Sequence, residues 1–147
     1  MASIRDRILM ELVTRIDAIE GMTGTLRDMR NTRPDGPTAY VHPDGEDKEL
    51  GTSETYEATF RVEVTLVVSV GDADEVTDGG NAYRYLDRMV TEIEKVVHAP
   101  DTAGTVPGFS DVVVAGHEIE GPDDKGELGA FIGLTFSYRH HYQDPGL

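Results

Sequence analysis

The chain has 147 residues, of which 38% are hydrophobic. That length supports one domain with a sizeable buried core and is short for two, so we expect a single domain over residues 1–147. The chain carries 28 acidic against 13 basic residues, a net charge of −15, which argues against a protein that grips nucleic acid or an anionic membrane surface. It has no cysteine, which removes disulfides and thiol chemistry and fits a reducing cytoplasm. No run of 18 apolar residues occurs, so we expect no membrane span.

The strong acidity has two interpretations, and the sequence does not separate them. One is an acidic surface or channel along which nucleic acid slides without sticking. The other is adaptation to high salt, which fits the low lysine content: only Lys48, Lys95 and Lys125 are present.

The first predicted element is an amphipathic helix from Ser3 to Glu20. Its apolar residues recur every three or four positions: Ile4, Ile8, Leu12, Ile16 and Ile19. Ser3 followed by Asp6 is typical of a capping box, and Gly21 is placed to end the helix in a left-handed conformation.

Two short strands follow the helix. The first is predicted within Thr25 to Arg30, and Asn31 to Pro37 is a turn because it is rich in proline and glycine. The second strand is predicted from Thr38 to His42, where Pro43 ends it because proline cannot donate to a sheet ladder. The polar, acidic stretch from Asp44 to Glu54 is then predicted to be an exposed loop.

A long strand from Thr55 to Val70 dominates the middle of the chain. Every even position in it is apolar, which indicates a strand with one buried face: Tyr56, Ala58, Phe60, Val62, Val64, Leu66, Val68 and Val70. If straight, it would reach about 50 Å, whereas a domain of this length is roughly 35–40 Å across. The strand must therefore bend strongly or project from its domain, which indicates assembly with other subunits.

A second amphipathic helix follows an acidic turn between Gly71 and Gly80. Its apolar stripe is Tyr83, Leu86, Val90, Ile93 and Val97. Asp78 is predicted to cap its start, and Pro100 stops it.

The chain closes with a predicted hairpin. One strand runs from Asp111 to Glu120, a turn spans Gly121 to Gly126, and the last strand has a second long apolar face: Leu128, Ala130, Ile132, Leu134, Phe136, Tyr138, His140 and Tyr142. The order helix, three strands, helix, two strands predicts an α+β domain. We expect a predominantly antiparallel or mixed β-sheet with two amphipathic helices packed on one face.

No stretch carries a catalytic signature. The closest approach to a nucleophile elbow, Gly108 to Asp111, fails at its last positions. The acidic turn between Gly71 and Gly80 lacks the oxygen ligand and the glycine that a calcium loop needs. Adjacent His140 and His141 point to opposite faces of a strand and cannot chelate one ion together. We therefore expect no enzyme activity, no cofactor and no metal site, although a metal held across strands stays open.

The whole order of elements resembles the tail terminator (tail completion) proteins of long-tailed phages, archaeal tailed viruses and gene transfer agents. The resemblance lies in five stretches that together cover nearly the whole chain: IRDRILMELVTRIDAI, RPDGPTAYVHPDGEDKE, YEATFRVEVTLVVSV, YLDRMVTEIEKVV and GAFIGLTFSYRHHY. It is a pattern of elements, since the family has no invariant catalytic motif.

The resemblance implies a structural virion protein of the tail-neck region, made in the host cytoplasm. Such proteins form a ring, commonly of six subunits, that caps the tail tube and ends its polymerisation. The ring also joins the tail to head-completion or connector proteins, and DNA passes through it without specific binding.

On this resemblance, two sets of residues are expected to make contacts. The acidic loop would face the lumen or the tail tube through Asp44, Glu46, Asp47 and Glu49. The long strand would contribute to the subunit interface through Tyr56, Phe60, Arg61 and Glu63.

Two other functions stay open. A different head-tail connector or neck subunit could have a similar size and element order and would bind portal-side partners. A small-molecule-binding α+β domain would instead show a defined apolar pocket.

Overall fold

The computed structural model describes residues 3–26, 36–51, 54–69, 71, 81–99, 109–122 and 126–141. The elements, in chain order, are α1 (Ile4–Asp17), β1 (Thr23–Leu26), β2 (Thr38–Leu50), β3 (Thr55–Ser69), α2 (Ala82–Val97), β4 (Phe109–Glu120) and β5 (Glu127–His141). The predicted order of helix, three strands, helix and two strands is confirmed.

Helix α1 begins where the sequence predicts. The Ser3 side chain accepts a hydrogen bond of 3.1 Å from the backbone N–H of Asp6, which satisfies one of the free donors of the first turn. The helix ends at Asp17, earlier than predicted, with Ala18 as its C-cap. Gly21 has the expected positive φ of 79°, but it serves the turn into β1 rather than the helix end.

The five strands form one sheet in the order β1-β2-β3-β5-β4. β1 is parallel to β2 and the other neighbours are antiparallel, so the predicted α+β fold with a mixed sheet is confirmed. β3 pairs with β5 along its whole length, from Thr55 opposite His141 to Ser69 opposite Glu127. These two alternating strands are therefore the centre of the sheet.

One face of β3 and β5 forms the floor of the core. Even-numbered residues of both strands are buried except for the half-buried Tyr56. Phe60, Leu66 and Phe136 are among them and share one hydrophobic cluster with the buried stripes of both helices. We call this the core face of the sheet, and the odd-numbered side of β3 and β5 the outer face. The placement of both helices over the core face stays a prediction, which the shared cluster supports.

The end predicted for β2 is wrong. The strand does not stop at Pro43 but continues to Leu50, and the expected loop from Asp44 onward is mostly strand. The physical reason is that β1 pairs with β2 only as far as Val41. Beyond that point β2 is an edge strand within the described chain, and an edge tolerates proline. The ladder also bulges between Pro43 and Gly45, which absorbs one extra residue.

Three smaller differences concern element starts. β1 begins at Thr23, two residues before the predicted strand, and β4 begins at Phe109 rather than Asp111. The N-cap of α2 is Asn81, whose side chain accepts from the N–H groups of Tyr83 and Arg84.

Some predictions lie wholly or largely outside the described residues. They are the turn from Asn31 to Pro37, the acidic turn from Gly71 to Gly80 with Asp78 as a cap, Pro100, the hairpin turn around residues 123–125, Val70 and Tyr142.

Candidate assembly surfaces

The four acidic residues expected in a loop lie in β2 and do not share one surface. Asp44 is the extra residue of the bulge. Glu46 is opposite Phe60 of the core face, whereas Asp47 is opposite Thr59 of the outer face, and Glu49 follows the parity of Asp47. Strand alternation beyond the bulge therefore separates carboxylates that the sequence presented as one group.

Glu46 is held inside the molecule. Its side chain is only 9% exposed, Arg5 Nη1 donates to its Oε1 at 2.7 Å, and Lys48 Nζ lies 3.5 Å from the same oxygen. The Tyr138 hydroxyl donates to its Oε2. These contacts join α1, β2 and β5, so the Glu46 carboxylate crosslinks three elements of its own chain. Its contact with a lumen or a tail tube stays a prediction.

The hydroxyl of Tyr138 stays protonated over a wide pH range. Burial raises its pKa well above the usual range of tyrosine, and the neighbouring Glu46 carboxylate raises it further through its hydrogen bond and its charge. A protonated hydroxyl can donate to Glu46, so the hydrogen bond between the two side chains persists over that pH range.

An aromatic cluster lies beside Glu46 at the same end of the sheet. The ring of His140 is 2% exposed and lies 5.6 Å from the ring of Tyr56 and 5.8 Å from that of Tyr138, measured between centroids. Its Nδ1 donates to the carbonyl oxygen of His141 at 2.7 Å, and its Nε2 has no hydrogen-bond partner among the described residues. Leu50, opposite Tyr56, is 73% exposed, so an apolar side chain projects where the aromatic cluster ends.

The outer face at this end is charged. Arg61 pairs with Asp47, and Arg139 Nη2 lies 3.1 Å from Glu57 Oε1. A depression of about 330 Å³ lies among these side chains. Its lining residues are Asp47, Glu49, Glu57, Ala58, Thr59, Ser137, Tyr138 and Arg139.

A second depression of about 390 Å³ lies further along the outer face. It is lined by Glu63, Ala115, Gly116, His117, Glu118, Phe131 and Gly133. Gly116 of β4 is directly opposite Gly133 of β5, so two neighbouring positions lack side chains and leave the space open. We call this feature the glycine depression.

The residues expected at a subunit interface divide between the two faces. Tyr56 and Phe60 lie on the core face, and Phe60 is only 2% exposed. Its side chain packs in the core of its own chain, and its contact with another subunit stays a prediction. Arg61 and Glu63 lie on the outer face and are half-buried, so they alone of this set lie on a common surface.

The described residues show no group of three or more histidine, aspartate or glutamate side chains placed to hold a metal ion. His140 is buried and His141 is exposed, as opposite faces of a strand require. In the described part of the chain, no helix has both the length and the apolar character needed to cross a membrane.

The sequence matches no protein-family model and no curated protein. Tail termination therefore stays a prediction that depends on this chain's own residues and fold.

Proposed function

We propose that this chain is a tail terminator, a subunit of a ring that caps the tail tube, ends its polymerisation and joins it to head-completion proteins. The observation that supports this function best is the shape of the sheet. In its longest hairpin, β2 with β3, the β2 residues from Pro43 onward are exposed except for the half-buried Glu46, so this half of β2 forms a long, exposed strand margin.

Both margins of the sheet are available for contacts between subunits. Among the described residues, β2 has no neighbour on one side beyond Val41, and β4 pairs with β5 alone. An open edge is a surface on which another chain can pair or pack. The two edges are different surfaces on opposite sides of one subunit, which is what a head-to-tail contact needs to close into a ring.

The distribution of charge supports a channel for DNA. Helices α1 and α2 each contain three acidic and three basic residues, which leaves 22 acidic and 7 basic residues, the whole net charge of −15, outside them. A ring whose strands and loops carry this charge repels phosphates. DNA would then pass without adhering, in contrast to a basic channel.

The proposed mechanism is assembly rather than catalysis. A terminator presents one face that a tube ring accepts and another that a further tube ring does not, so the stack ends there. Contacts that are weak in one subunit add up because the ring repeats them.

The test is to stop translation of this chain in the viral genome that encodes it and to image the particles by electron microscopy. We expect tail tubes of irregular, excessive length together with heads that lack tails, because nothing ends the polymerisation. Expression of the wild-type chain from a plasmid is the control and should restore tails of uniform length. Uniform tails detached from heads would contradict termination and would assign the chain to another part of the neck.

A further inference from the structure

The glycine depression is built by the register of three strands. Gly133 of β5 lies between Glu63 of β3 on one side and Gly116 of β4 on the other. Among the described residues, a Cβ added at Gly116 would meet no atom within 4 Å, and one at Gly133 would touch only the Cβ of Ala115 at 3.6 Å. Glycine inside a strand often marks a place where another molecule approaches closely, and here the space above two glycines is open.

The side chains around this space suit a guanidinium group. Glu63 and Glu118 contribute two carboxylates, and Phe131, directly opposite Glu118, contributes an aromatic ring. Arginine binds carboxylates through paired charge-assisted hydrogen bonds and stacks on aromatic rings. None of the described lining residues is a lysine or an arginine, and Glu63 also accepts a hydrogen bond from Thr65 Oγ1 at 3.5 Å. The negative charge of the site is complementary to a further cation from outside.

An arginine of the same chain is placed to supply that cation. Arg84 is exposed in the first turn of α2, and that turn contains no acidic residue. The positive end of the helix dipole disfavours a cation at this position. Arg84 therefore does not stabilise its own helix through the dipole. An acidic residue would suit this turn better, and the chain contains 28 of them.

We infer that the glycine depression of one subunit binds Arg84 of a second copy of this chain. The contact joins the outer face of one copy to the start of α2 in the next, so it is a head-to-tail contact of the kind that forms a ring. This inference builds on the proposed ring and adds the residues through which neighbouring subunits recognise each other.

The natural lack of cysteine allows a direct test by thiol crosslinking. An arginine–glutamate pair holds its two Cα atoms further apart than the roughly 7 Å that a direct disulfide allows, so the double variant Arg84→Cys with Glu118→Cys is treated with a bismaleimide whose spacer contains a disulfide, and the products are separated by denaturing electrophoresis. We expect a ladder of covalent oligomers that disappears when the spacer is reduced, because the two thiols of neighbouring subunits lie within reach of the spacer. The control variant, Lys95→Cys with Glu118→Cys, places the first thiol in the last turn of α2 and should give no ladder. Absence of a ladder from the first variant, or equal ladders from both, would overturn the inference.

A charge exchange tests the same contact without cysteine. Glu118→Arg and Arg84→Glu should each reduce assembly in sedimentation at least several-fold, and the double variant should restore it. Glu120→Arg is the matched control, because Glu120 is exposed on the same face of β4 but does not line the depression. Failure of the double variant to recover would contradict the inference.

Filling the depression gives a third, uncharged test. Gly133→Leu should block assembly, whereas Gly129→Leu, on the same strand and face, should not. Circular dichroism of both variants checks that they fold. Rings that assemble normally with Gly133→Leu would overturn the inference but leave tail termination standing. Crosslinked oligomers of the Arg84→Cys, Glu118→Cys variant would support the contact between subunits. If particles that lack this chain nevertheless had tails of normal length, tail termination would be contradicted while the contact stood.

Discussion

At the scale of single residues, the Glu46 carboxylate joins elements that are far apart in the sequence. Glu46 meets Tyr138, which is 92 positions away in sequence, and local spacing carries no information about such a pair. The separation of Glu46 from Asp47 follows from strand alternation after the bulge. A strand prediction that crossed Pro43 would have revealed it.

Replacing Glu46 by glutamine should destabilise the fold. The carboxylate is 9% exposed and contacts Arg5, Lys48 and the Tyr138 hydroxyl, so its loss leaves cations without their partner. We expect the free energy of unfolding in urea to fall by about 1–3 kcal/mol. Glu49→Gln, on the exposed part of the same strand, should change it by less than about 0.5 kcal/mol. Equal effects in both variants would contradict the role assigned to Glu46.

The raised pKa of Tyr138 predicts a loss of stability in alkali. The folded protein holds the hydroxyl proton more tightly than the unfolded chain does, because burial and the Glu46 carboxylate oppose ionisation. The stabilisation is therefore complete below the unfolded pKa of about 10 and is lost as the pH rises through the higher folded value. Urea midpoints of Tyr138→Phe should fall less steeply above that pH than those of the wild type and of Tyr83→Phe, whose side chain is exposed. Parallel curves for all three proteins would be inconsistent with this linkage.

At the scale of elements, the strands with the clearest alternation were predicted best. β3 starts at the predicted residue, and β5 starts one residue before the predicted apolar face. Each strand has one buried face, and the alternation of buried and exposed residues defines the strand in the sequence. The prediction ended β2 too early because it assumed that proline cannot lie inside a strand, which holds for central strands. Only the strand pairing shows that Pro43 lies at an edge. Similarly, the start of α2 at Asn81 was missed because Asp78 is an equally suitable cap by residue type.

The packing of β1 against α1 predicts a sensitive glycine. A Cβ on Gly24 would lie 2.8 Å from the carbonyl oxygen of Val13 and 3.0 Å from the backbone nitrogen of Asp17. Backbone atoms of a helix cannot move aside cheaply, so Gly24→Ala should lower the free energy of unfolding by about 1–3 kcal/mol. Gly71→Ala is the control, because a Cβ there meets no atom of the described residues within 4 Å. Thermal unfolding of the two variants gives the comparison, and a Gly24→Ala variant as stable as the control would show that the helix and strand can separate without cost.

At the scale of the whole molecule, composition indicates how assembly responds to salt. Subunits with a net charge of −15 repel one another, and added salt screens that repulsion beyond a Debye length of about 10 Å at 0.1 M. We therefore expect the fraction of assembled protein to rise with ionic strength. A contact made only of exposed ion pairs would weaken over the same range, so the direction of the salt effect separates the two cases.

The most direct test of the central claim is the native mass of the purified chain by sedimentation across a salt and magnesium series, with negative-stain images of the largest species. We expect a closed ring with an open centre and a mass of about six times the 16.1 kDa subunit. A 16.1 kDa monomer under every condition, with no ring in the images, would contradict the claim.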